Sequence, residues 1–391
     1  MVKKKFRLPI KWILFVGIIL VVFTFLGIRP RTSGSLSEIT LPKGFAIGTF
    51  VEGLGASPTA YPGPNTGPRM MEFINGALFV SIPSQGKVVA LPDDNHDFKA
   101  DRVVTVIDKL ENPHGLAYHD GWLYIAEETE VIRVKLNSNL QADRSTLEVL
   151  IGGIPNERLP TGGHFTRTIK IYNNSLYLSA GSSCNVCYEQ DPRRASITKC
   201  DLDGRNCKTF ATGLRNAVDF VFHPITGEMY ATENGRDLLG ENIPPDEVNI
   251  IEEGKNYGWP ICYGKRIHDF EFDKNVYIRD PCLDTEPSFI DLQAHSAPLG
   301  LAFYYGNNFP DDYRGNFFVA YHGSWNRNEP TGYKIVRIKI DEKKVEDFAT
   351  GWLKDDKTVI GRPVGIVIGE DGSMFVSDDN AGKIYRIYHV R

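Results

Sequence analysis

The stretch HGLAYHDGWLYIA at residues 114–126 decides the fold, because two short apolar segments are joined in it by a tight turn. The first segment covers residues 114–118, the second covers 123–125, and Asp120-Gly121 lies between them. An Asp-Gly pair between β-rich segments is a strong signal for a hairpin. The stretch therefore predicts two neighbouring strands of an antiparallel sheet.

The same unit recurs along the chain, and each copy is followed by a further alternating strand. The first segments of the six copies begin at residues 69, 114, 167, 218, 299 and 364. The strands that follow are predicted at residues 88–91, 131–136, 197–202, 248–251, 335–340 and 384–387. Antiparallel sheets that cannot bury their faces alone stack radially into a propeller. We therefore predict an all-β, six-bladed β-propeller over residues 39–391.

Two details complete the predicted propeller. Residues 39–52 are expected to supply a strand that closes the ring with the C-terminal strands. The copies are unevenly spaced, and most of the extra length lies between residues 232 and 298. This insertion is predicted to form large loops on one face, where binding tends to be located on a rigid scaffold.

Composition agrees with one large β domain. The 391 residues are 42% hydrophobic and 24% charged, which is enough apolar material for a sizeable core. The 37 glycines and 23 prolines suit many short strands and turns, and closed all-β folds often reach this length as one unit. A net charge of −5 argues against nucleic acid as a partner.

The N-terminus is predicted to be a membrane anchor. The 17 residues from 12 to 28 are uncharged, with five basic residues before them and two after. That length is at the lower limit of a membrane span, and the charge asymmetry places the N-terminus inside. We expect residues 1–31 to be an uncleaved signal-anchor helix, residues 32–38 a polar linker, and the body to be extracytoplasmic. The alternative is a cleaved signal and a secreted protein.

Six cysteines occur in the body, at positions 184, 187, 200, 207, 262 and 282. An even number outside a membrane suggests disulfides. We predict the pairs Cys200–Cys207 and Cys262–Cys282, and also Cys184–Cys187. The Cys184-x-x-Cys187 spacing leaves two alternatives, a redox-active pair and half of a zinc site, but no second ligand pair is evident nearby.

Polar residues cluster where the first strand of each copy begins, which in a propeller is one mouth of the central channel. They are His114, His164, Arg167, Arg215, Asn216, Ser296 and Arg362. Each alone is typical of a satisfied loop residue, but repeat symmetry would bring them to one pocket. Because guanidinium groups bind carboxylates in a bidentate manner, such a pocket indicates an anionic ligand.

The body resembles the quinoprotein glucose and sorbosone dehydrogenases, most of all their sorbosone-dehydrogenase branch. The resemblance extends from residue 41 to 391. The matching motifs are GGHFTR (162–167), GSSCNVC (181–187), DPRR (191–194), GLRN (213–216), RDLLG (236–240), PPDE (244–247), NYGWP (256–260), HSAPLG (295–300), HGSWNR (322–327) and GRP (361–363).

This resemblance implies a propeller that binds pyrroloquinoline quinone (PQQ), a tricarboxylate, over its channel. His164 matches the catalytic histidine that takes a proton from a sugar hydroxyl while hydride passes to the quinone. Arg215 and Asn216 match the pair that polarises the quinone oxygens. Arg362 matches an arginine that binds a cofactor carboxylate. His114, Arg167, Arg215, Asn216, Ser296, Arg327 and Arg362 are the expected cofactor-binding residues.

The resemblance also implies Ca²⁺. A calcium ion beside the quinone would use backbone carbonyls in the loop that contains Gly240 and Glu241. A second calcium would be bound by the acidic pair Asp246 and Glu247, because oxygen ligands of this kind suit Ca²⁺.

The sequence departs from the family pattern at three positions. Gly163 stands where the glucose enzymes have an aspartate before the catalytic histidine. Val364 stands where they have a second cofactor arginine. Their cofactor lysine has no clear match, and Arg327 is the expected substitute.

The predicted function is therefore a PQQ-dependent dehydrogenase that oxidises a sugar or a related alcohol or aldehyde, with an external electron acceptor. The alternative is a non-catalytic extracellular propeller that binds protein or carbohydrate, which would not need His164, Arg215 and Asn216. A metal-dependent lactonase is the third hypothesis, and it would require several acidic side chains at the channel instead.

Overall fold

The structure, a computed structural model, describes residues 36–55, 67–159 and 162–390. The predicted anchor over residues 1–31 lies outside the described residues, and so do residues 32–35 of the predicted linker. The other linker residues, Leu36–Glu38, form a single 3-10 turn. Within the described ranges, no helix is long and apolar enough to cross a membrane.

Six four-stranded antiparallel sheets follow one another along the chain, which confirms the predicted six-bladed propeller. Blade 1 contains β2 (Met71–Ile74), β3 (Ala77–Ile82), β4 (Lys87–Leu91) and β5 (Val104–Ile107). Blade 2 contains β6 (Leu116–His119), β7 (Trp122–Ala126), β8 (Val131–Leu136) and β9 (Ala142–Ile151). Blade 3 contains β10 (Arg167–Tyr172), β11 (Ser175–Ala180), β12 (Ser196–Asp201) and β13 (Lys208–Thr212).

The remaining blades are built in the same way. Blade 4 contains β14 (Phe220–Phe222), β15 (Met229–Glu233), β16 (Asp246–Ile251) and β19 (Ile290–Leu292). Blade 5 contains β20 (Pro298–Phe303), β21 (Phe317–Tyr321), β22 (Lys334–Lys339) and β23 (Lys344–Ala349). Blade 6 contains β24 (Pro363–Ile368), β25 (Met374–Asp378), β26 (Lys383–His389) and β1 (Phe45–Val51). A separate hairpin is formed by β17 (Cys262–Tyr263) and β18 (Ile267–His268).

The ring is closed by the N-terminal strand. β1 pairs antiparallel with β26, and Ile47 lies opposite Ile387, so the predicted closure is confirmed. The innermost strands touch in the order β2, β6, β10, β14, β20, β24, and β24 touches β2 again. The blades therefore surround one central channel.

Apolar side chains fill the six interfaces between neighbouring blades. Six of the buried hydrophobic clusters each combine residues of two adjacent blades. The cluster between blades 5 and 6 is the most aromatic and includes Phe318, Phe348 and Trp352. Truncation of such a side chain to alanine costs about 3–5 kcal/mol, so each blade is stabilised mainly by its neighbours.

Glycine allows the innermost strands to approach each other closely. A Cβ atom at Gly115 would lie 2.6 Å from the backbone nitrogen of Ile169 in the next blade. A Cβ atom at Gly365 would lie 2.5 Å from the backbone oxygen of Arg69. The sequence needs glycine at these positions because the strands converge at the channel.

The insertion of blade 4 differs from the prediction of loops on one face. Residues 234–245 join β15 to β16 at the channel mouth, as expected. Residues 252–289 leave β16 at the opposite end and run along the outer edge of blade 3, where the nitrogen of Tyr257 donates to the oxygen of Thr212. A salt bridge between Arg236 and Asp269 then joins this segment to the mouth.

All six cysteines are paired as predicted, in the disulfides Cys184–Cys187, Cys200–Cys207 and Cys262–Cys282. Because Cys184 and Cys187 are joined in a disulfide, their thiolates do not form half of a zinc site, which was one alternative for this segment. The Cys262–Cys282 bridge closes the insertion of blade 4 around the β17–β18 hairpin.

Candidate active site

His164 lies in the loop before β10, at the mouth of the channel, and is half-buried. Its Nδ1 atom is 3.1 Å from both the carbonyl oxygen and the hydroxyl oxygen of Ser182. Because a carbonyl can only accept, Nδ1 carries the proton of the neutral ring. The Ser182 hydroxyl donates to the carbonyl of Cys184 at 2.6 Å, so it too accepts from Nδ1. Nε2 is left as an unprotonated nitrogen that no described residue contacts by a hydrogen bond.

The surroundings keep His164 neutral. Burial, followed by the charges of Arg215, Arg194 and Arg167, holds the pKa of its imidazole well below 6.5. A neutral imidazole with a free Nε2 is the form that can accept a proton near pH 7. His164 therefore has the protonation state of a general base.

Two buried arginines fix the backbone of His164. The carbonyl oxygen of His164 accepts hydrogen bonds from Nη1 of Arg167 at 3.1 Å and from Nη1 of Arg194 at 2.9 Å. Arg167 also donates to the carbonyls of Thr166 and Pro155, and its side chain is fully buried. The geometry gives Arg167 a role in positioning His164, and its predicted contact with a cofactor stays a prediction.

Asn216 meets His164 at Gly181. A Cβ atom at Gly181 would collide with Oδ1 of Asn216 and would lie 2.8 Å from Cβ of His164. The backbone nitrogen of Asn216 donates to the buried carboxylate of Glu233 at 2.9 Å. The structure therefore brings together two of the three predicted catalytic residues, with their side chains on either side of a glycine.

Arg215 is buried, and all five of its N–H donors are directed at protein acceptors. Nε and Nη2 bind the backbone and side-chain oxygens of Asn185 at 2.8 and 3.0 Å, and Nη2 pairs with Asp237 at 3.0 Å. Nη1 binds the carbonyls of Asn234 and Gly235. Arg215 lowers the pKa of His164 by its charge, whereas its predicted contact with quinone oxygens stays a prediction.

A second polar group lies where blades 1, 5 and 6 begin. Asp379 accepts from Nε2 of His322 at 2.9 Å and pairs with Nη1 of Arg69 at 2.8 Å. Arg362 donates to the carbonyls of His322 and Gly323 and to the hydroxyl of Tyr333. These contacts place Arg362 beside His322, a residue whose role the sequence did not indicate.

Two predicted cofactor residues lie in the wall of the mouth. His114 is fully buried, and its Nδ1 faces the oxygen of Arg167 at 3.3 Å. Its Nε2 has no hydrogen-bond partner among the described residues, and burial holds the pKa of its imidazole well below 6.5. Ser296 is also fully buried and donates to the carbonyl of Gln293 at 2.7 Å.

The mouth contains buried hydrogen-bond donors without a partner. Buried Nε atoms without a partner in the described residues belong to Arg69, Arg167, Arg194 and Arg362. Among the carboxylates at the mouth, Asp237 and Asp379 are already paired with arginines. Guanidinium groups suit a ligand with several carboxylates, so the donor chemistry fits PQQ.

The departures noted in the sequence are explained by packing. A Cβ atom at Gly163 would lie 2.7 Å from the carbonyl oxygen of Ser183, so an aspartate does not fit there. Ser182, which directly follows Gly181, supplies the partner of the imidazole instead. Val364 is fully buried against Val218 and Leu299 in the channel, which leaves no space for an arginine.

The two calcium predictions have different outcomes. In the first loop, the oxygen of Gly240 accepts from Nε2 of His295 at 2.7 Å, and the oxygen of Glu241 accepts from Nη1 of Arg327 at 2.6 Å. Both carbonyls that would ligate calcium are bound by N–H donors, one of them cationic. The residues present therefore do not fit a calcium ion at Gly240 and Glu241.

The second predicted calcium site, at Asp246 and Glu247, fits a cation in part. Glu247 lies directly opposite Glu233 in the β15–β16 ladder, and Asn249 donates to Glu247 at 3.0 Å. Oε2 of Glu233 and Oδ1 of Asn249 are buried without a hydrogen-bond partner in the described residues. Burial raises the pKa of Glu247 to about 7 and that of Glu233 well above 4.5. Asp246 lies at the mouth instead, where it accepts from the backbone nitrogens of Gly235 and Ala297 and from the hydroxyl of Ser296. Both oxygens of Glu247 also accept from protein donors, so the oxygens left open to a cation are those of Glu233 and Asn249.

Comparison with known proteins shows sequence similarity to one family and to proteins of several organisms. The TrAA12-like family model matches residues 63–390. An uncharacterized protein of Borreliella burgdorferi is 34% identical over 373 residues, which cover 91% of this chain and 92% of that protein. A pyrroloquinoline quinone-dependent pyranose dehydrogenase of Coprinopsis cinerea is 27% identical over 293 residues, which cover 57% of this chain and 39% of the enzyme.

The fold similarity is broader than the sequence similarity. The holo form of the PQQ domain of the Coprinopsis cinerea pyranose dehydrogenase superposes with a TM-score of 0.74 at 22% identity. That superposition covers 92% of this chain and 98% of the domain. The described propeller therefore shares the fold of that domain over nearly its whole length.

Proposed function

The chain belongs to the TrAA12-like family, and from this membership we propose that it is a PQQ-dependent oxidoreductase that acts on sugars. The observation that carries the proposal is His164, a neutral imidazole with its Nδ1 proton bound by Ser182 and its Nε2 free. A propeller that only bound a partner would not require this arrangement.

His164 is the base of the proposed reaction. Its Nε2 takes the proton from the hydroxyl of the sugar, while Ser182 holds Nδ1–H and keeps the ring in one orientation. Arg167 and Arg194 hold the carbonyl of His164 and so restrain the loop that carries the ring. PQQ, when bound, accepts the hydride that leaves the sugar carbon. A positioned base contributes typically ~10²–10⁴-fold to such a reaction.

The residues proposed to bind PQQ lie around the donor-rich mouth. The Asn216 amide lies beside His164 and is proposed to donate to the quinone. Arg362 and Arg69 are proposed to attract the carboxylates of PQQ. His322 connects the two arginines, because its ring contacts Asp379, which pairs with Arg69, and its carbonyl accepts from Arg362. Arg215 is proposed to act mainly through charge, because protein acceptors use all of its donors.

Calcium is proposed at Glu247 rather than at Gly240 and Glu241. Glu233, Glu247 and Asn249 would hold it, because they offer three buried oxygen-bearing side chains on one face of blade 4. Carboxylate and amide oxygens are ligands that Ca²⁺ prefers.

The N-terminal residues 1–31 are proposed to anchor the chain in a membrane with the propeller on the extracytoplasmic side. The alternative remains secretion after signal cleavage. N-terminal sequencing of the mature protein separates the two, because cleavage would give a chain that begins near Ser33. An external electron acceptor is proposed to reoxidise the cofactor.

One experiment tests the proposed function. Purified apoprotein is titrated with PQQ, and aldoses and polyols are then screened with an artificial dye as electron acceptor. We expect PQQ to bind and at least one sugar to reduce the dye, and His164→Ala to remove the activity but not the binding. A chain that binds no PQQ and reduces no dye would contradict the proposal and leave the binding-module hypothesis.

A further inference from the structure

The Gly240–Glu241 loop is held by nitrogen donors from blade 5. His295 provides the first, and its protonation state is fixed by two contacts. Its Nδ1 lies 3.3 Å from the side-chain amide nitrogen of Asn326, which can only donate, so Nδ1 accepts. Nε2 therefore carries the proton, and it donates to the oxygen of Gly240 at 2.7 Å. This carbonyl is bound by a neutral N–H group.

Arg327 provides the second donor and a positive charge. Its Nη1 donates to the oxygen of Glu241 at 2.6 Å, and its Nη2 donates to the side-chain oxygen of Asn242 at 3.3 Å. Nε binds the oxygen of Glu329 at 3.2 Å. The guanidinium thus joins the 234–245 loop of blade 4 to the loop that follows β21 in blade 5.

The carboxylate of Glu241 also lies near Arg327. Its Oε1 accepts from the side chain of Asn328 at 3.0 Å, and its Oε2 is 4.0 Å from Nε of Arg327. The cation at the loop is therefore the protein's own, and it is balanced by the protein's own carboxylate. A calcium ion on the same carbonyl would stand close to a guanidinium that cannot lose its charge.

We propose that Arg327, together with His295, takes the place of calcium at the Gly240–Glu241 loop, so that the chain binds PQQ there without a metal ion. This inference rests on the proposed function. Gly240 and Glu241 are exposed in the described structure, and a ligand that covered their carbonyl oxygens would leave each in need of a donor or a cation. Side chains already supply a donor to each oxygen. Arg327 is a positioning residue in this arrangement, because its described contacts are all with the protein.

The test measures the binding of PQQ to the full-length apoprotein. Quenching of tryptophan fluorescence reports the binding, once in excess EGTA and once in excess Ca²⁺. The wild-type Kd should agree within about twofold between the two conditions. Arg327→Met removes the charge and the donors at nearly the same length, and it should raise the Kd in EGTA by tenfold or more, with Ca²⁺ restoring part of the affinity. Arg327→Lys should stay independent of calcium, because it keeps a cation that can reach the carbonyl.

Two controls keep the outcomes separate. Arg193→Met removes an exposed arginine that pairs with Asp191, and it should behave as wild type in both conditions. Circular dichroism shows whether each variant keeps the wild-type fold. If Arg327→Met does not fold, the wild-type Kd in EGTA and in Ca²⁺ provides the test. A wild-type Kd that falls tenfold or more on addition of Ca²⁺ would overturn the inference but leave the proposed function intact. Absence of PQQ binding in both conditions would overturn both.

Discussion

The Nδ1 atom of His164 lies 3.1 Å from the carbonyl oxygen of Ser182 and 3.1 Å from its hydroxyl oxygen, so a single serine orients the proposed base. A serine cannot raise the basicity of an imidazole as a carboxylate would. Burial and the neighbouring arginines lower the pKa of His164 at the same time. The site therefore combines a fixed tautomer with a base that stays unprotonated in mildly acidic solution.

The pH dependence of activity should follow from the contact between His164 and Ser182. Because the pKa of His164 lies well below 6.5, the unprotonated base persists as the pH falls, and kcat should decrease only below pH 6.5. Ser182→Asp would place a carboxylate at Nδ1, which favours the imidazolium. We expect its acidic limb to move upward by about one pH unit. Ser182→Ala keeps the backbone carbonyl and is the control. Identical profiles for the wild type and the aspartate variant would contradict the assignment.

Arg194 should matter far more than its neighbour Arg193. Arg194 is buried and donates to the carbonyls of His164 and Gly181, both at 2.9 Å. Arg194→Met leaves these buried acceptors without donors, which costs about 1–3 kcal/mol and releases the loop of His164. We expect a reduced melting temperature and a kcat that falls more than KM changes. Arg193→Met removes only an exposed ion pair with Asp191, and it should leave the melting temperature and kcat unchanged.

Gly181 should tolerate no side chain. Gly181→Ala would push its Cβ against Oδ1 of Asn216 and Cβ of His164, and overpacking of this kind costs about 1–3 kcal/mol. Since both neighbours belong to the proposed catalytic group, we expect dye-linked activity to fall at least tenfold. Gly48→Ala is the matched control, because nothing lies within 4 Å of its Cβ position in β1. Full activity of Gly181→Ala would show that His164 and Asn216 need not meet there.

The fold was predictable because its signal is local and repeated. Six hairpin units fixed the number of blades, and the first strands were placed within two residues of those observed. The fourth strand was missed in blades 1 to 5, whereas the closing strand of blade 6 was predicted. β9 and β13, for example, are the outermost strands of their sheets and largely exposed, so selection for apolar residues is weak and their pattern carries little information.

The candidate site was only partly predictable, because its key contacts join distant loops. His164 and Asn216 were identified and do meet, but Ser182 and Arg194 were quoted only as parts of motifs. Their roles depend on which atoms face His164, and this is set by the packing of blade 3. The contact between Arg327 and Glu241 spans 86 residues, and no spacing rule in the sequence indicates it.

Calcium is expected to bind at Glu233 and Glu247. These carboxylates face each other across the β15–β16 ladder, and Oε2 of Glu233 is buried without a partner in the described residues. A cation that binds only the folded state stabilises it, by about 2.7 kcal/mol at a concentration 100 times its Kd. We therefore expect Ca²⁺ to raise the melting temperature of the apoprotein, and EGTA to reverse the change.

Glu233→Gln should separate this effect from unspecific binding. The neutral amide removes one buried charge, so the melting temperature of the variant without calcium should equal or exceed that of the wild type. It also removes a ligand, so Ca²⁺ should no longer raise the melting temperature. Glu228→Gln is the matched control, because Glu228 is exposed and lies just before β15 in the same hairpin, so it should keep the full calcium response. If Glu233→Gln also kept that response, calcium would have to bind elsewhere, and protonation rather than a metal ion would neutralise the buried carboxylates.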